Sequence, residues 1–397
     1  MSIVTDPKKI DEVLSRGVTE VIQHDELRTK LLSGKQLRIK LGIDPTSPNL
    51  HLGRSVPLLK MKDFQDLGHQ VVLIVGDFTG VIGDTSDKDS ERPMLSEEQI
   101  EANKQSYFDQ IGKLIDLDRA ELHYNSTWLK PLNYRDIGEQ ANLFSLADFI
   151  ARDNIKRRLE AGTRVSLREV LYPLMQGYDS VAIKADVELG GTDQRFNLLA
   201  GRHMQPHYEQ EAQHIIMGPL IEGLDGRKMS SSWGNTINFN DEPADMYGKV
   251  MSMSDELMIT YFTSFTRIPS ETITGYEERL KQGENPMEIK HALASEIVRM
   301  YHNETKAVEA KQSWQQTFSD RGIPDDIPEL AITDKILLSE ALLQSGLVAS
   351  KTEFRRLLQA GALKQYANND FTTFTDDQEI SGVVIKIGKK RFLRITN

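Results

Sequence analysis

Three short stretches of this 397-residue chain hold side chains whose types and spacing can do chemistry. The first is DPTSPNLHLGR, residues 44–54, in which His51 stands where a proline-rich loop gives way to the helical run SVPLLKMKDFQDLG. A helix N-terminus presents unpaired N–H groups and a positive dipole end to an anion, and an imidazole there adds a further donor. The second is GRKMSSS, residues 226–232, where Lys228 is a point charge and the serines and loop amides can donate hydrogen bonds to phosphate. The third is YPLMQGYD, residues 172–179. Tyr172, Gln176 and Asp179 fall at i, i+4 and i+7, so one helix face carries a polar stripe among Leu, Met and Val, as a small polar pocket requires. Taken singly, each has a plainer reading: a solvated loop histidine, a flexible surface loop, a partly exposed helix face.

Such groups need elements to position them. A strand at 38–43, a helix at 53–67 and a buried apolar strand at 71–77 make a βαβ unit. The alternation continues with AELHYNS (120–126, strand), LREVLYPLMQGYDSVAI (167–183, helix), ADVELGG (185–191, strand), TDQRFNLLAGRHM (192–204, helix) and HIIMGPLI (214–221, strand). This pattern predicts an α/β fold with a Rossmann-like doubly wound parallel sheet over residues 1–240. Ligands bind beyond the carboxyl ends of such strands, here the loops at 44–54, 77–92 and 190–194. From 241 to 320 the chain reads as helical. The stretch 321–335, with Pro324, Pro328 and several acids, reads as a linker. Residues 336–397 read as a small α+β module. Its helix SKTEFRRLLQAG carries a capping box, with Ser350 at the N-cap and Glu353 at N3, and Gly361 at C′. Phe354, Leu357 and Leu358 share its apolar face, away from Arg355, Arg356 and Gln359.

Bulk composition narrows the function classes. With 39% hydrophobic and 27% charged residues the chain reads as an ordinary globular protein. No apolar run is long enough to span a membrane, and the N-terminus lacks a signal-peptide core. Cysteine is absent, which excludes disulfides and thiolate metal sites and suggests a cytoplasmic protein. The net charge of −11 argues against indiscriminate nucleic-acid coating. The tail reverses that sign: from Lys351 onward nine Lys/Arg face five Asp/Glu, a net +4. Arg355, Arg356, Lys389, Lys390 and Arg391 are the candidate phosphate contacts.

HLGR at a βα junction, followed about 180 residues later by KMSSS, resembles the HIGH and KMSKS signatures of class I aminoacyl-tRNA synthetases. YPLMQGYD resembles the YxxxQxxD helix of the tyrosyl-tRNA synthetases, and GIDPT (42–46), GDTSDKDSER (83–92) and GGTDQ (190–194) extend the likeness. The tail resembles the S4-type RNA-binding module of bacterial members. The resemblance implies tyrosine–tRNA ligation, in which tyrosine and ATP form tyrosyl-adenylate and tyrosine then passes to tRNA(Tyr). Mg2+ accompanies the ATP, no metal is held by protein ligands, and the enzyme is a homodimer. It implies that Asp179 accepts the phenol hydroxyl and that Tyr172, Gln176 and Asp84 hold the amino group. Asp44 and Gln194 would line the reacting end. Thr46, His51, Lys228, Lys88 and Arg92 would act on the phosphates, and Gly191 and Asp193 on the ribose. Gly53, Arg54, Met229 and Ser230 complete the ATP site. Four positions depart from the family pattern. Arg54 replaces the last histidine of HIGH, Lys40 a tyrosine on the substrate phenol, Thr85 and Asp87 a proline and a glycine, and Ser231 the second lysine of KMSKS.

Two alternatives stay open at this point: another class I adenylate-forming enzyme, such as one for tryptophan, and a catalytically weak relative that only binds RNA. His203 and His207 have a zinc spacing, but Pro206 between them and the missing HExxH glutamate argue against a metal. The methionines of KVMSMSDELM read as helix core. The segment 142–162, with Phe144, Leu146 and Phe149, is the candidate dimer interface.

Overall fold

In a computed structural model of the chain, residues 2–85, 94–316, 327–332, 334–367, 370–388 and 391–396 are described. They divide into two compact units, Met1–Ala307 and Val308–Asn397.

The first unit is organised by a six-stranded sheet. In chain order its strands are β1 (Glu20–Ile22), β2 (Arg38–Ile43), β3 (Gln70–Val75), β4 (Ala120–Tyr124), β5 (Val187–Gly191) and β6 (His214–Gly218). In space they run β1-β6-β5-β2-β3-β4, all parallel except β1, which pairs antiparallel with β6. β3 is a continuous apolar run because both of its faces are covered, and Val71–Val75 are at most 1% exposed. The order reverses at β2: the chain moves outward to β3 and β4 on one side and returns to β5 and β6 on the other. The loops leaving β2 and β5 therefore diverge and open a crevice at the carboxyl edge, the expected position of a ligand site in such a sheet.

Helix Leu52–Asp66 follows β2 and starts at His51, whose backbone is extended. Helix Leu167–Ile183, which carries the polar stripe, begins where Ser166 N–H donates to the Glu169 carboxylate at 2.9 Å. It packs against helix Arg195–Met204 through Gly177. A Cβ at Gly177 would lie 2.8 Å from Met204 Sδ and 3.1 Å from Gly201 N, so the close approach requires glycine.

Residues 243–301 form four main helices, Pro243–Ser252, Met258–Phe265, Ser270–Lys281 and Met287–Tyr301, within the first unit. Met251 and Met258 are buried in them and Met253 is buried just after the first, as expected of core methionines.

The second unit holds a five-stranded sheet and a two-stranded one. Its strands are β7 (Glu329–Ala331), β8 (Ile336–Leu337), β9 (Leu363–Ala367), β10 (Asp370–Thr373), β11 (Glu379–Ile380), β12 (Val384–Ile387) and β13 (Arg391–Thr396). The larger sheet runs β10-β9-β12-β13-β7, and β8 pairs with β11. β7 corrects the expectation that 321–335 is all linker. Residues 329–331 pair in parallel with Arg394–Thr396, so backbone hydrogen bonding to a distant strand overrides the local proline signal. Leu338, Leu342, Phe354, Leu363, Ile385, Leu393 and Ile395 form the core of this unit. Helix Lys351–Gln359 is capped as expected by Ser350 Oγ, which accepts from Glu353 N at 3.2 Å. The reciprocal half differs: Glu353 accepts from Ala349 N rather than from Ser350 N. Gly361 takes φ +63° at C′, with Gly361 N donating to Leu358 O and Ala362 N to Leu357 O.

Candidate active site

The crevice is a cavity of about 340 Å³. Its lining includes Asp44, Thr46, His51, Gly53, Arg54, Asp84, Tyr172, Gln176, Asp179, Gly191, Asp193, Gln194, Lys228, Met229 and Ser230, so the tertiary fold gathers candidates scattered from residue 44 to residue 230. Lys88, Arg92 and Asp87 lie outside the described residues.

The inner end is built from carboxylates and their donors. Asp179 is 3% exposed. It accepts from Trp128 Nε1 at 2.8 Å and from Asn125 Nδ2 at 3.3 Å. Burial pushes its carboxyl up to about 7, opposed by the charge of Lys40 and by these hydrogen bonds. Asp44 accepts from Thr79 Oγ1 and from Tyr172 OH, each at 2.7 Å, and burial pushes it up to about 6. The Tyr172 phenol is pushed well above its ordinary value by burial and by the neighbouring carboxylates Asp44 and Asp84. Asp84 accepts from Gln194 Nε2 at 3.2 Å and Asn197 Nδ2 at 3.4 Å. Gly76, at the end of β3, makes this packing possible: a Cβ there would fall 2.0 Å from Asp44 Oδ1.

Lys40 does not line the cavity. It is fully buried beneath it, bound to Glu188, Gln176 and Ser180. The sequence reading missed Thr79, Asn125, Trp128 and Glu188. Trp128 is one of three tryptophans, but nothing local ties an indole at 128 to a carboxylate at 179. Thr79, at the start of the short helix after β3, and Asn125, in the turn after β4, lie where the topological rule places a ligand site.

The outer end carries the basic and hydroxyl groups. His51 has the expected place at the start of its helix, with Nδ1 buried and without a hydrogen-bond partner. Burial, with Arg54 and Lys228 nearby, pushes the imidazole down to about 3, so at neutral pH it is an uncharged donor rather than a cation. The Arg54 guanidinium has no hydrogen-bond or ion-pair partner among the described residues. Lys228 Nζ donates to Asp193 Oδ2 at 2.8 Å, and Gly53 N approaches Met229 Sδ at 3.2 Å, which ties the KMSSS loop to the first turn of the helix. Ser231 and Ser232 are exposed at the rim.

Away from the cavity, His203 is exposed. Its Nε2 lies 3.0 Å from the Leu143 carbonyl oxygen, and among the described residues no group of three or more His, Asp or Glu could hold a metal ion. Phe149 is buried and stacks edge-on with Phe144 and Phe196, so it belongs to the core, whereas Leu146, Ile150 and Leu159 are exposed. In the second unit Arg355 and Arg356 are exposed and unpaired among the described residues. Arg391 is partly committed, donating to the Leu347 carbonyl and lying 3.9 Å from Glu353. Lys389 and Lys390 are outside the described residues.

A doubly wound sheet with a polar, cation-rimmed cavity at its switch point, HLGR on one wall and KMSSS on the other, defines a class I aminoacyl-tRNA synthetase. The family described as tRNA synthetases class I (W and Y) matches residues 32–319. The chain is 44% identical to the tyrosine–tRNA ligase of Moorella thermoacetica over 390 residues, covering 96% of this chain and 94% of that one. It is 42% identical to that of Thermotoga maritima, covering 98% of both. Among solved structures, a C-terminally truncated mitochondrial tyrosyl-tRNA synthetase of Aspergillus nidulans superposes with a TM-score of 0.67 at 22% identity, over 78% of this chain and 94% of that one. The Archaeoglobus fulgidus enzyme complexed with L-tyrosine gives 0.62 at 21%, over 77% and 100%. The chain belongs to the bacterial-type tyrosine–tRNA ligases.

Proposed function

We propose that the cavity performs the tyrosine–tRNA ligase reaction with its inner end on the amino acid and its outer end on ATP. The family joins tyrosine to ATP and then transfers it to tRNA(Tyr). The observation that carries the division of labour is the polarity of the cavity. Asp44, Asp84, Tyr172, Gln176 and Asp179 supply acceptors inside, and His51, Arg54, Lys228 and Ser230 supply donors outside. A zwitterionic phenolic substrate and a polyphosphate are the complements of those two ends.

In this reading Asp179, held by Trp128 and Asn125, accepts the phenol proton donor. Tyr172, Gln176 and Asp84 receive the ammonium, and Asp44 and Gln194 flank the carboxylate. A substrate carboxylate oxygen attacks the α-phosphorus, and the bond to pyrophosphate breaks. The Leu52–Asp66 helix terminus, His51, Thr46 and Lys228, with Lys88 and Arg92 from the 83–92 loop, stabilise the leaving charge. Gly191 and Asp193 take the ribose, with Gly53, Arg54, Met229 and Ser230 around the nucleotide. No protein nucleophile is needed, so catalysis is positioning plus charge stabilisation. Mg2+ would be carried by the phosphates, whose oxygens are the hard ligands it takes. The tRNA terminal ribose hydroxyl then attacks the tyrosyl carbonyl and AMP leaves.

The working protein is read as a cytoplasmic homodimer. No helix among the described residues is long and apolar enough to cross a membrane. Leu146, 65% exposed, with Ile150 and Leu159 is the proposed dimer face, and sedimentation of Leu146→Glu should show monomers. Functionally, 1–240 is read as the catalytic region, 241–320 as the anticodon-binding helices and 336–397 as the S4-like module. ATP–pyrophosphate exchange tests the core of the proposal: tyrosine should support it, and phenylalanine and tryptophan should not. Equal exchange with phenylalanine would refute Asp179 as the phenol acceptor.

A further inference from the structure

Beneath the cavity lies an ion pair that no proposed step uses. Lys40 Nζ and Glu188 Oε1 are 2.8 Å apart, with side chains 0% and 1% exposed. Lys40 has three N–H donors, and each has a target: Glu188, the Gln176 carbonyl oxygen at 2.9 Å and Ser180 Oγ at 2.7 Å. Glu188 is equally occupied. Its Oε1 accepts from Lys40 and from Gln176 Nε2 at 3.2 Å, and its Oε2 accepts from Ser180 Oγ at 3.0 Å and from Gln213 Nε2. A buried pair this completely bonded is costly to desolvate and is poor evidence for stability, so its retention calls for another account.

The account lies in what the pair does to Gln176. An amide side chain has a donor end and an acceptor end, and the two can exchange by rotation. Glu188, as a carboxylate, only accepts, so it takes the Nε2 end. Lys40 holds the backbone carbonyl of the same residue. Gln176 Oε1 is then left as the end without a partner among the described residues, on a side chain that lines the cavity. Gln194 is set in the same way, with Nε2 committed to Asp84.

We propose that the buried Lys40–Glu188 pair is a positioning device that locks the Gln176 amide with its oxygen toward the substrate, making this wall of the cavity selective for the ammonium group of the amino acid. The inference rests on the inner end being the amino-acid subsite. Neither residue touches substrate; both act through Gln176. Lys40 thus has a task in this chain beyond the effect of its charge on Asp179.

The test uses the full-length enzyme and two substrates, tyrosine and its deamino analogue 3-(4-hydroxyphenyl)propanoate, compared by kcat/KM in ATP–pyrophosphate exchange. The wild type should prefer tyrosine. Glu188→Gln keeps the shape but offers Gln176 either a donor or an acceptor, so the amide can turn over. The preference for tyrosine over the deamino analogue should fall about tenfold through KM for tyrosine, as expected for a lost hydrogen bond to a charged group. The preference for tyrosine over phenylalanine should stay within about threefold, because Asp179 keeps its own partners. If Glu188→Gln does not fold, Lys40→Met/Glu188→Gln, which buries no charge, is measured instead and should show the same fall. An undiminished ammonium preference in the folded variant overturns the proposal, as does an equal loss of both preferences, which marks a general disturbance of the pocket. A wild type that does not distinguish tyrosine from its deamino analogue refutes the subsite reading itself.

Discussion

At the inner end of the cavity every recognition group is tied down: Asp179 by Trp128 and Asn125, Asp44 by Thr79 and Tyr172, and Gln176 by Glu188. At the outer end His51 Nδ1 and the Arg54 guanidinium make no hydrogen bond among the described residues, and Lys228 rests on Asp193. Fixed acceptors suit a substrate that must be identified before reaction, and their effect should be felt in KM. Loosely held donors suit a charge that builds only as pyrophosphate departs, and their effect should be felt in kcat. The contrast also explains the hydrogen-bond geometry. A carboxylate buried without partners would be expensive, whereas a cation near the rim keeps access to water.

The largest effect should come from the outer end. Lys228→Ala is expected to slow adenylate formation by about 10²–10³-fold with tyrosine binding nearly intact, as for loss of one preorganised charge-stabilising donor. His51→Ala should cost less than Lys228→Ala, because the imidazole is neutral and contributes a hydrogen bond only. Stopped-flow measurement of adenylate formation compares the two, and a greater loss for His51→Ala would break the contrast. At the inner end Asp179→Ala should raise KM for tyrosine by roughly 30- to 160-fold, from about 2–3 kcal/mol for a hydrogen bond to a charged acceptor, with kcat changed little.

A subtler signature of the inner end is its pH dependence. The Asp179 carboxyl is pushed up to about 7, so below that pH the free enzyme holds a proton where, on the proposed reading, the phenol needs an ionised acceptor. KM for tyrosine should therefore rise as pH falls through about 7, by roughly eightfold between about pH 7.5 and 6 for one required ionisation, and Asp179→Asn should flatten the profile. The smallest effect on tyrosine activation belongs to the second unit. A chain ending near Trp314 should keep tyrosine-dependent exchange within a few-fold and lose most tRNA charging. The residual charging should depend less steeply on salt, by roughly 0.7–0.9 in log–log slope for each phosphate contact removed. Charging at the full rate with the same slope would show that Arg355 and Arg356 do not meet RNA.

Much of this molecule is legible in its sequence because the relevant rules are local. The 3.6-residue period puts Tyr172, Gln176 and Asp179 on one face, and the apolar run of β3 marks a strand covered on both sides. HLGR and KMSSS mark two walls of the cavity, and the caps of the 351–359 helix follow from Ser350 and Gly361. What tertiary structure alone decided are the partnerships and the protonation states. Lys40 meets Glu188 across 148 positions and leaves the cavity, and Trp128 reaches Asp179 across 51. Residues 329–331, punctuated like a linker, become a strand only because β13 returns beside them. His51 loses its charge through burial beside Arg54 and Lys228, and Asp179 holds its proton nearly to neutrality because it is enclosed. Residue type and spacing determine which groups are available. Which of them pair, and whether they carry charge, depends on the local dielectric and on distances between remote segments, and these exist only once the chain has folded.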